Sequence, residues 1–178
     1  MRDIGEVHMT FELKTLSPDA VPAALEKARL YRYLNEPGEA ESICRDVLDI
    51  DPHNQDALIM LLLALTDQFD SQAVSAAAAA DTRPLIARLT DAYAQAYYAG
   101  IVYERRAKAQ LRYHVPGYGP RVYEWLRAAM AAYERAEALR SAGNDDALLR
   151  WNACARMLMR DHHLAPAVEE RGEPLLLE

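Results

Sequence analysis

The sequence predicts an all-α protein, and three observations carry that prediction. Apolar residues make up 51% of the 178-residue chain, which is too many for a disordered protein. Only seven glycines occur, and alanine- and leucine-rich tracts are long. Within these tracts apolar residues recur at spacings of three and four, the period of an amphipathic helix. The length suits one domain with a core of its own.

The first 17 residues are predicted to form an arm outside the helical domain. Val7, Met9, Phe11 and Leu13 alternate with polar residues, which is the period of a β-strand. A lone strand needs a partner, so an ordered arm would pair with a second chain or dock across the helices. The alternative is a disordered terminus.

The first predicted helix pair is bounded by clear stop signals. Ser17-Pro18-Asp19 is a helix start, since Ser or Asp can cap a helix and Pro fits its first turn. Helix 1 is expected over about 21–35, and Pro37-Gly38 breaks it. Helix 2 is expected over about 39–50. Asp51-Pro52 ends it, because the residue before proline disfavours helical geometry.

The middle of the chain is predicted as two helices around a weak segment. One helix starts after Asn54, a capping residue type, and runs to about Phe69. Residues 70–81 have little to bury and are left unassigned. One long helix over about 84–113 then carries an apolar stripe, and it is expected to be the longest in the protein.

Two further helices are predicted after a proline- and glycine-rich loop at 115–120. One spans about 120–140 and ends before Gly143, and the other is capped by Asn144 and ends near Arg160. This gives six main helices in stacked antiparallel pairs. The predicted organisation is an arm at 1–17, a helical domain at 18–160 and a tail at 161–178.

The first helix pair carries a spacing pattern that recurs later in the chain. Its positions are Ala24, Ala28, Tyr31, Pro37, Gly38, Ala40, Cys44, Val47, Ile50 and Pro52. A partial copy lies at Ala129, Tyr133, Ala136 and Leu139, and the junction Asn54–Leu58 is echoed at Asn144–Leu148. The pattern resembles the tetratricopeptide repeat, whose unit is about 34 residues long. The resemblance implies about three degenerate repeats with a central insertion, stacked into a right-handed α-superhelix.

Charge is distributed unevenly along the chain. Residues 1–70 hold 14 acidic and 6 basic residues, a net charge of 6 − 14 = −8. Residues 83–160 hold 7 acidic and 13 basic residues, a net charge of 13 − 7 = +6, and 12 of those bases are arginine. Such an asymmetry favours either docking between the two halves or a charged partner surface.

Several functional classes are disfavoured by the sequence. It contains no phosphate-binding glycine loop, nucleophile elbow or zinc-ligand spacing, so we expect no catalysis, no metal and no cofactor. The tyrosines of the arginine-rich region fall on helix-packing stripes and the chain is acidic, which disfavours nucleic acid. Apolar runs are too short to span a bilayer, and no secretory signal is visible. Two cysteines on helical patterns fit reduced thiols, so a cytoplasmic location is expected.

The resemblance implies a protein- or peptide-binding adaptor, with a secretion-type or assembly chaperone as the alternative and a small enzyme or anion-binding domain as a distant one. The inner face of the repeats supplies the candidate binding residues: Arg29, Arg32, Tyr33, Ile59, Leu63, Asp67, Tyr97, Ile101, Arg105 and Arg156. Arginine forks bind carboxylates, so the expected partner is another protein or peptide, with an acidic or C-terminal segment. Internal ion pairs with the acidic half, and a homodimer, are left open.

Two expectations concern individual side chains. We expect five residues to be largely buried: Tyr31, Cys44, Tyr133, Ala136 and Trp151. Glu104 and Lys108 are four residues apart, and they are interpreted as an ion pair on a solvated helix face.

Overall fold

A computed structural model describes residues 11–70, 82–113 and 117–167 as an all-α fold, and the described residues contain no strand. The seven helices are α1 (Val21–Tyr33), α2 (Pro37–Ile50), α3 (Gln55–Asp67), α4 (82–88), α5 (Ala92–Tyr113), α6 (Tyr118–Leu139) and α7 (Asp146–Arg160). Single 3-10 turns precede α1 (Pro18–Ala20) and follow α3 (Gln68–Asp70). The predicted fold class is confirmed at this level.

Local capping chemistry explains several of the helix boundaries. The Asn54 side-chain oxygen accepts a hydrogen bond from the Ala57 backbone N–H at 2.9 Å, so this residue caps α3 as expected. Gly143 has a φ of 84°, which glycine adopts easily, but it does not cap α6 as expected. Helix α6 ends at Leu139 and its C-cap is the extended Arg140, so Gly143 lies in the connection to α7. Helix α2 was expected to start at about residue 39, but it starts at Pro37. Proline suits the first position of a helix because that position needs no N–H donor.

The single long helix expected over 84–113 is wrong, because the chain breaks at residues 89–91. The Asp91 carboxylate accepts hydrogen bonds from the N–H groups of Tyr93 at 3.1 Å and Ala94 at 3.4 Å, so it caps a new helix. The Gln55 side chain holds the break by accepting from the Thr90 N–H at 2.9 Å. The described residues therefore form seven helices rather than six, and α5 and α6 are equally long at 22 residues.

Neighbouring helices pack as antiparallel hairpins joined by short connections: α1 with α2, α2 with α3, α5 with α6, and α6 with α7. Helix α3 also contacts α1 and α5. Buried apolar residues form two clusters, one among α1–α4 and one among α5–α7. Helix α5 belongs to both, since its Val102 and Ala109 lie in the first cluster and its Ile101 and Ala107 in the second.

Burial follows the sequence expectation at three of five positions. Cys44, Tyr133 and Ala136 are fully buried, as expected. Tyr31 and Trp151 are only half-buried. The ring of Trp151 packs against the second cluster, but its Nε1 donates to the carboxylate of the exposed Glu134 at 2.9 Å, which holds the ring edge at the surface.

The predicted N-terminal strand is not found where the structure describes the arm. Residues 11–17 have no regular secondary structure, and Phe11 and Leu13 are exposed. Val7 and Met9 lie outside the described residues, as do 71–81 of the unassigned segment and 168–178 of the tail. No helix in the described parts of the chain is both long and apolar enough to cross a membrane.

Candidate functional site: a basic cleft

A cleft of about 400 Å³ lies where α1, α3, α5 and α7 meet. Its lining residues are Arg32, Asn35, Thr66, Asp67, Glu104, Arg105, Lys108, Arg112 and Arg150. Five of these side chains are cations and two are carboxylates, which gives the lining a net charge of 5 − 2 = +3. The whole chain carries −7, so this cleft is a local positive site on an acidic protein.

Asp67, at the end of α3, joins three helices at one side of the cleft. Its carboxylate accepts from Arg32 Nε of α1 at 2.7 Å and from Arg105 Nη1 of α5 at 2.5 Å. Arg105 Nη1 also donates to Thr66 Oγ1 at 2.6 Å and to the Leu63 carbonyl at 3.1 Å. All three charged side chains are a quarter exposed or less, so both guanidinium groups are fixed in position.

Glu104 of α5 forms the floor of the other side, with a side chain that is 2% exposed. Its carboxylate accepts from Lys108 Nζ at 2.5 Å, from the Tyr133 hydroxyl at 2.6 Å and from Arg150 Nη1 at 3.0 Å. Arg150 Nε in turn donates to the Tyr97 hydroxyl at 3.2 Å. A buried carboxylate with three donors holds side chains from α5, α6 and α7 in one network.

These contacts set the charge state of the network. Burial alone would raise the pKa of Glu104, but hydrogen bonds from Lys108 and Tyr133 and the charge of Arg150 outweigh it, so its pKa lies below 4.5. Burial and the Glu104 charge raise the pKa of Tyr133, which keeps its hydroxyl protonated. The Glu104 carboxylate also raises the pKa of Arg150 against the effect of burial. Glu104 and Arg150 are therefore both charged at neutral pH.

Some predicted binding residues come together at the cleft. Arg32, Asp67 and Arg105 line it, and all three take part in the ion-pair junction. Leu63 contributes its carbonyl oxygen to Arg105, and Tyr97 contributes its hydroxyl to Arg150. The ion pairs at Asp67 correspond to the alternative of internal pairing with the acidic N-terminal half.

The other candidates lie elsewhere. Ile101 is 2% exposed and packs within the second cluster. Arg29 and Ile59 line a separate cleft of about 400 Å³ between α1 and α3, and Arg29 pairs with Glu26 at 2.8 Å. Tyr33 and Arg156 are exposed and are not among the lining residues of the basic cleft.

The interpretation of Glu104 is corrected by the structure. The pair with Lys108 exists, but Glu104 is buried instead of solvated. Its position gives the reason, since Gly100, Glu104 and Ala107 are spaced by four and three and share one buried face. This spacing is the feature of the sequence from which the burial of Glu104 could have been predicted.

Sequence reasoning also missed Arg150, Lys108, Arg112 and Asn35 as cleft residues. Arg150 lies three residues after the buried Ala147 and four before the buried Cys154, so its stem falls on the inward stripe of α7. Asn35 and Arg112 lie beside helix ends, where no stripe predicts their direction.

Neither a metal site nor a known relative assigns a function to this cleft. Within the described residues, no group of three or more His, Cys, Asp or Glu side chains could hold a metal ion. No protein-family model matches the chain, and neither does any curated protein or solved structure.

Proposed function

We propose that this protein is a binding adaptor whose basic cleft holds an acidic or C-terminal segment of another protein. The observation that carries the proposal is the +3 lining of the cleft on a chain of net charge −7. A concentrated positive site on an acidic protein selects anionic groups and rejects cationic ones.

The arginines in the cleft are held before any ligand arrives. Asp67 fixes Arg32 and Arg105, and Glu104 with Tyr97 fixes Arg150. Holding a long side chain in place beforehand reduces the conformational entropy that binding would otherwise lose. The carboxylates thus serve to orient cations, which supports recognition over proton transfer.

The origin of the lining residues supports a repeat-like architecture. They come from α1, α3, α5 and α7 or from the residues just beyond their ends, and none comes from α2, α4 or α6. In tetratricopeptide repeats the first helix of each pair lines the inner face, so alternate helices would share one groove. The cleft between α1 and α3 extends this surface, because its lining residue Met60 also accepts from Arg32 Nη1 at 3.8 Å.

The test compares two degenerate peptide libraries by fluorescence anisotropy, one rich in Asp and Glu and the other with Asn and Gln in their place. The acidic library is expected to bind more tightly. Arg105→Ala is expected to weaken that binding by about 1–3 kcal/mol, because it removes a charged donor.

Arg156→Ala is the control, since Arg156 is exposed on α7 away from the cleft lining. It should leave binding and stability unchanged. Arg105→Ala should also lower stability, because Arg105 holds Asp67. Binding is therefore measured for Lys108→Gln as well, since the Lys108 side chain is 43% exposed and its loss should affect stability less. Equal binding of the acidic and amide libraries would overturn the proposal.

A further inference from the structure

The charges in the basic cleft are not balanced by its own carboxylates. Asp67 is shared by Arg32 and Arg105, and Glu104 is shared by Lys108 and Arg150. Each carboxylate thus faces two cations, so these four cations exceed the two carboxylates by two positive charges even when Arg112 is not counted. One ligand carboxylate would bring a single negative charge to this excess. A phosphomonoester brings about −1.5 to −2 at neutral pH.

The three held arginines use only part of their donor sets on internal partners. Arg32 donates through Nε and Nη1, Arg105 through Nη1, and Arg150 through Nε and Nη1. Among the described residues, no buried side-chain nitrogen or oxygen lacks a hydrogen-bond partner. The Nη2 groups take no part in these bonds, so they reach solvent, and the side chains that carry them line the cleft.

The predominance of arginine among the cleft cations also indicates which anion the cleft would bind. Four of the five cations are arginine and one is lysine. Guanidinium N–H groups match the geometry of a phosphoryl group well. A phosphomonoester offers three terminal oxygens to the three Nη2 groups, whereas a carboxylate offers two.

From this charge excess and these donor groups we infer that the cleft recognises a phosphoryl group, carried on a phosphorylated serine, threonine or tyrosine of the partner. The inference rests on the proposed function and names the chemistry of its ligand. The phosphoryl oxygens bind the Nη2 groups of Arg32, Arg105 and Arg150, and Lys108 adds a further donor at the rim. The flanking peptide lies over the adjoining cleft between α1 and α3.

The experiment measures binding of two degenerate peptide libraries that differ at one position, with phosphoserine fixed in one and glutamate in the other. The phosphoserine library is expected to bind about tenfold more tightly, because it offers an additional charge and oxygen. Inorganic phosphate is expected to compete, but more weakly than the phosphorylated library.

A pH series separates the two kinds of anion. A phosphomonoester gains its second charge near pH 6, so phosphoserine binding should strengthen severalfold between about pH 5 and pH 7.5. Binding of the glutamate library should change little over the same range. The charged lining residues contain no histidine that would titrate there: Arg32, Asp67, Glu104, Arg105, Lys108, Arg112 and Arg150.

Two variants test the site itself. Lys108→Gln removes a rim charge and leaves Glu104 with Tyr133 and Arg150. Arg150→Lys keeps the charge beside Glu104 but removes the Nη2 donor. Both should reduce the preference for phosphoserine, and the exposed Arg156→Gln should not.

Each result decides between the proposals. Equal binding of both libraries would overturn the phosphoryl inference and leave the proposed function standing. Inorganic phosphate that binds as tightly as the phosphorylated library would point to a free anion and overturn the partner-borne ligand. If neither library binds, the adaptor proposal and the inference both fail.

Discussion

A single ionised residue in the interior organises the second half of this protein. Glu104 is buried, yet it is not isolated, because Lys108, Tyr133 and Arg150 all donate to it. Removing such a carboxylate costs more than one hydrogen bond, since Arg150 and Tyr133 lose the acceptor around which they are placed.

Glu104→Gln is therefore expected to lower the free energy of unfolding by about 1–3 kcal/mol at neutral pH, because partly exposed partners can recover some hydration. The measurement is chemical denaturation of both proteins. Glu124→Gln, at an exposed position of α6, is the matched control and should have little effect.

The pH dependence of this difference has a definite sign. The pKa of Glu104 is lowered in the folded protein, so its stabilising contribution is complete above the unfolded value near 4.5 and is lost as pH falls through the folded pKa. The difference in free energy of unfolding between wild type and Glu104→Gln should become smaller below about pH 4.5. A difference that stayed constant down to pH 3 would contradict the assigned network.

At the scale of helices, α5 and α6 approach each other closely at Gly100. Gly100 of α5 faces the ring of Tyr133, and a Cβ added to Gly100 would lie 2.4 Å from Tyr133 Cε1. The ring is fully buried and its hydroxyl is bonded to Glu104, so it has little room to move. The two helices can meet at this distance only because residue 100 has no side chain.

Gly100→Ala is expected to lower the free energy of unfolding by about 1–3 kcal/mol through overpacking, although alanine favours helices. Gly38→Ala provides the matched control. Gly38 also lies in a helix, and a Cβ added there would meet no atom within 4 Å. That change should raise stability by about 0.5–1 kcal/mol. Thermal or chemical unfolding measures both, and stabilisation by Gly100→Ala would contradict the described contact.

Sequence periodicity predicted most helices but not every boundary. Asn54 caps α3 as expected, because its effect is local to one helix end. Gly143 has the expected positive φ, but α6 ends four residues before it, at Leu139. The break before α5 was missed because Leu89, Thr90 and Asp91 include neither proline nor glycine. It depends on Gln55, more than thirty residues away, and a pattern along the chain does not reveal such a contact.

The residues of the basic cleft, too, could be predicted only in part from patterns along the chain. Arg32, Asp67 and Arg105 could be predicted to share a face, because each lies at a regular position on its helix. Their pairing through one carboxylate, and the entry of Arg150 from α7, depend on how α1, α3, α5 and α7 come together. That arrangement is a property of packing between helices and is not encoded in any one helix.

Over the whole molecule, α5 links the two apolar clusters. Cys44 of α2 lies in the first cluster and Cys154 of α7 in the second, and both are fully buried. Burial raises the pKa of each thiol to about 12, and the Glu104 charge adds to the effect at Cys154. Neither thiol is therefore expected to react in the native protein at neutral pH.

Because α5 packs into both clusters, we expect the protein to unfold as one cooperative unit. Single-cysteine variants, Cys44→Ala and Cys154→Ala, each leave one reporter thiol. Labelling with a thiol reagent across a urea titration should give the same midpoint for both, once the stability of each variant is taken into account. Well-separated midpoints would show that the two halves open independently.

The placement of a positive cleft on a negative protein has a consequence for the rate at which a partner arrives. In very dilute salt, where the screening length is about 30 Å, an acidic partner experiences the net −7 of the whole chain and is repelled. Near physiological salt that length falls to about 8 Å, so the distant negative surface is screened while the cleft still attracts at close range. Encounter with an acidic partner would thus be fastest at intermediate ionic strength, instead of slowing steadily as salt is added.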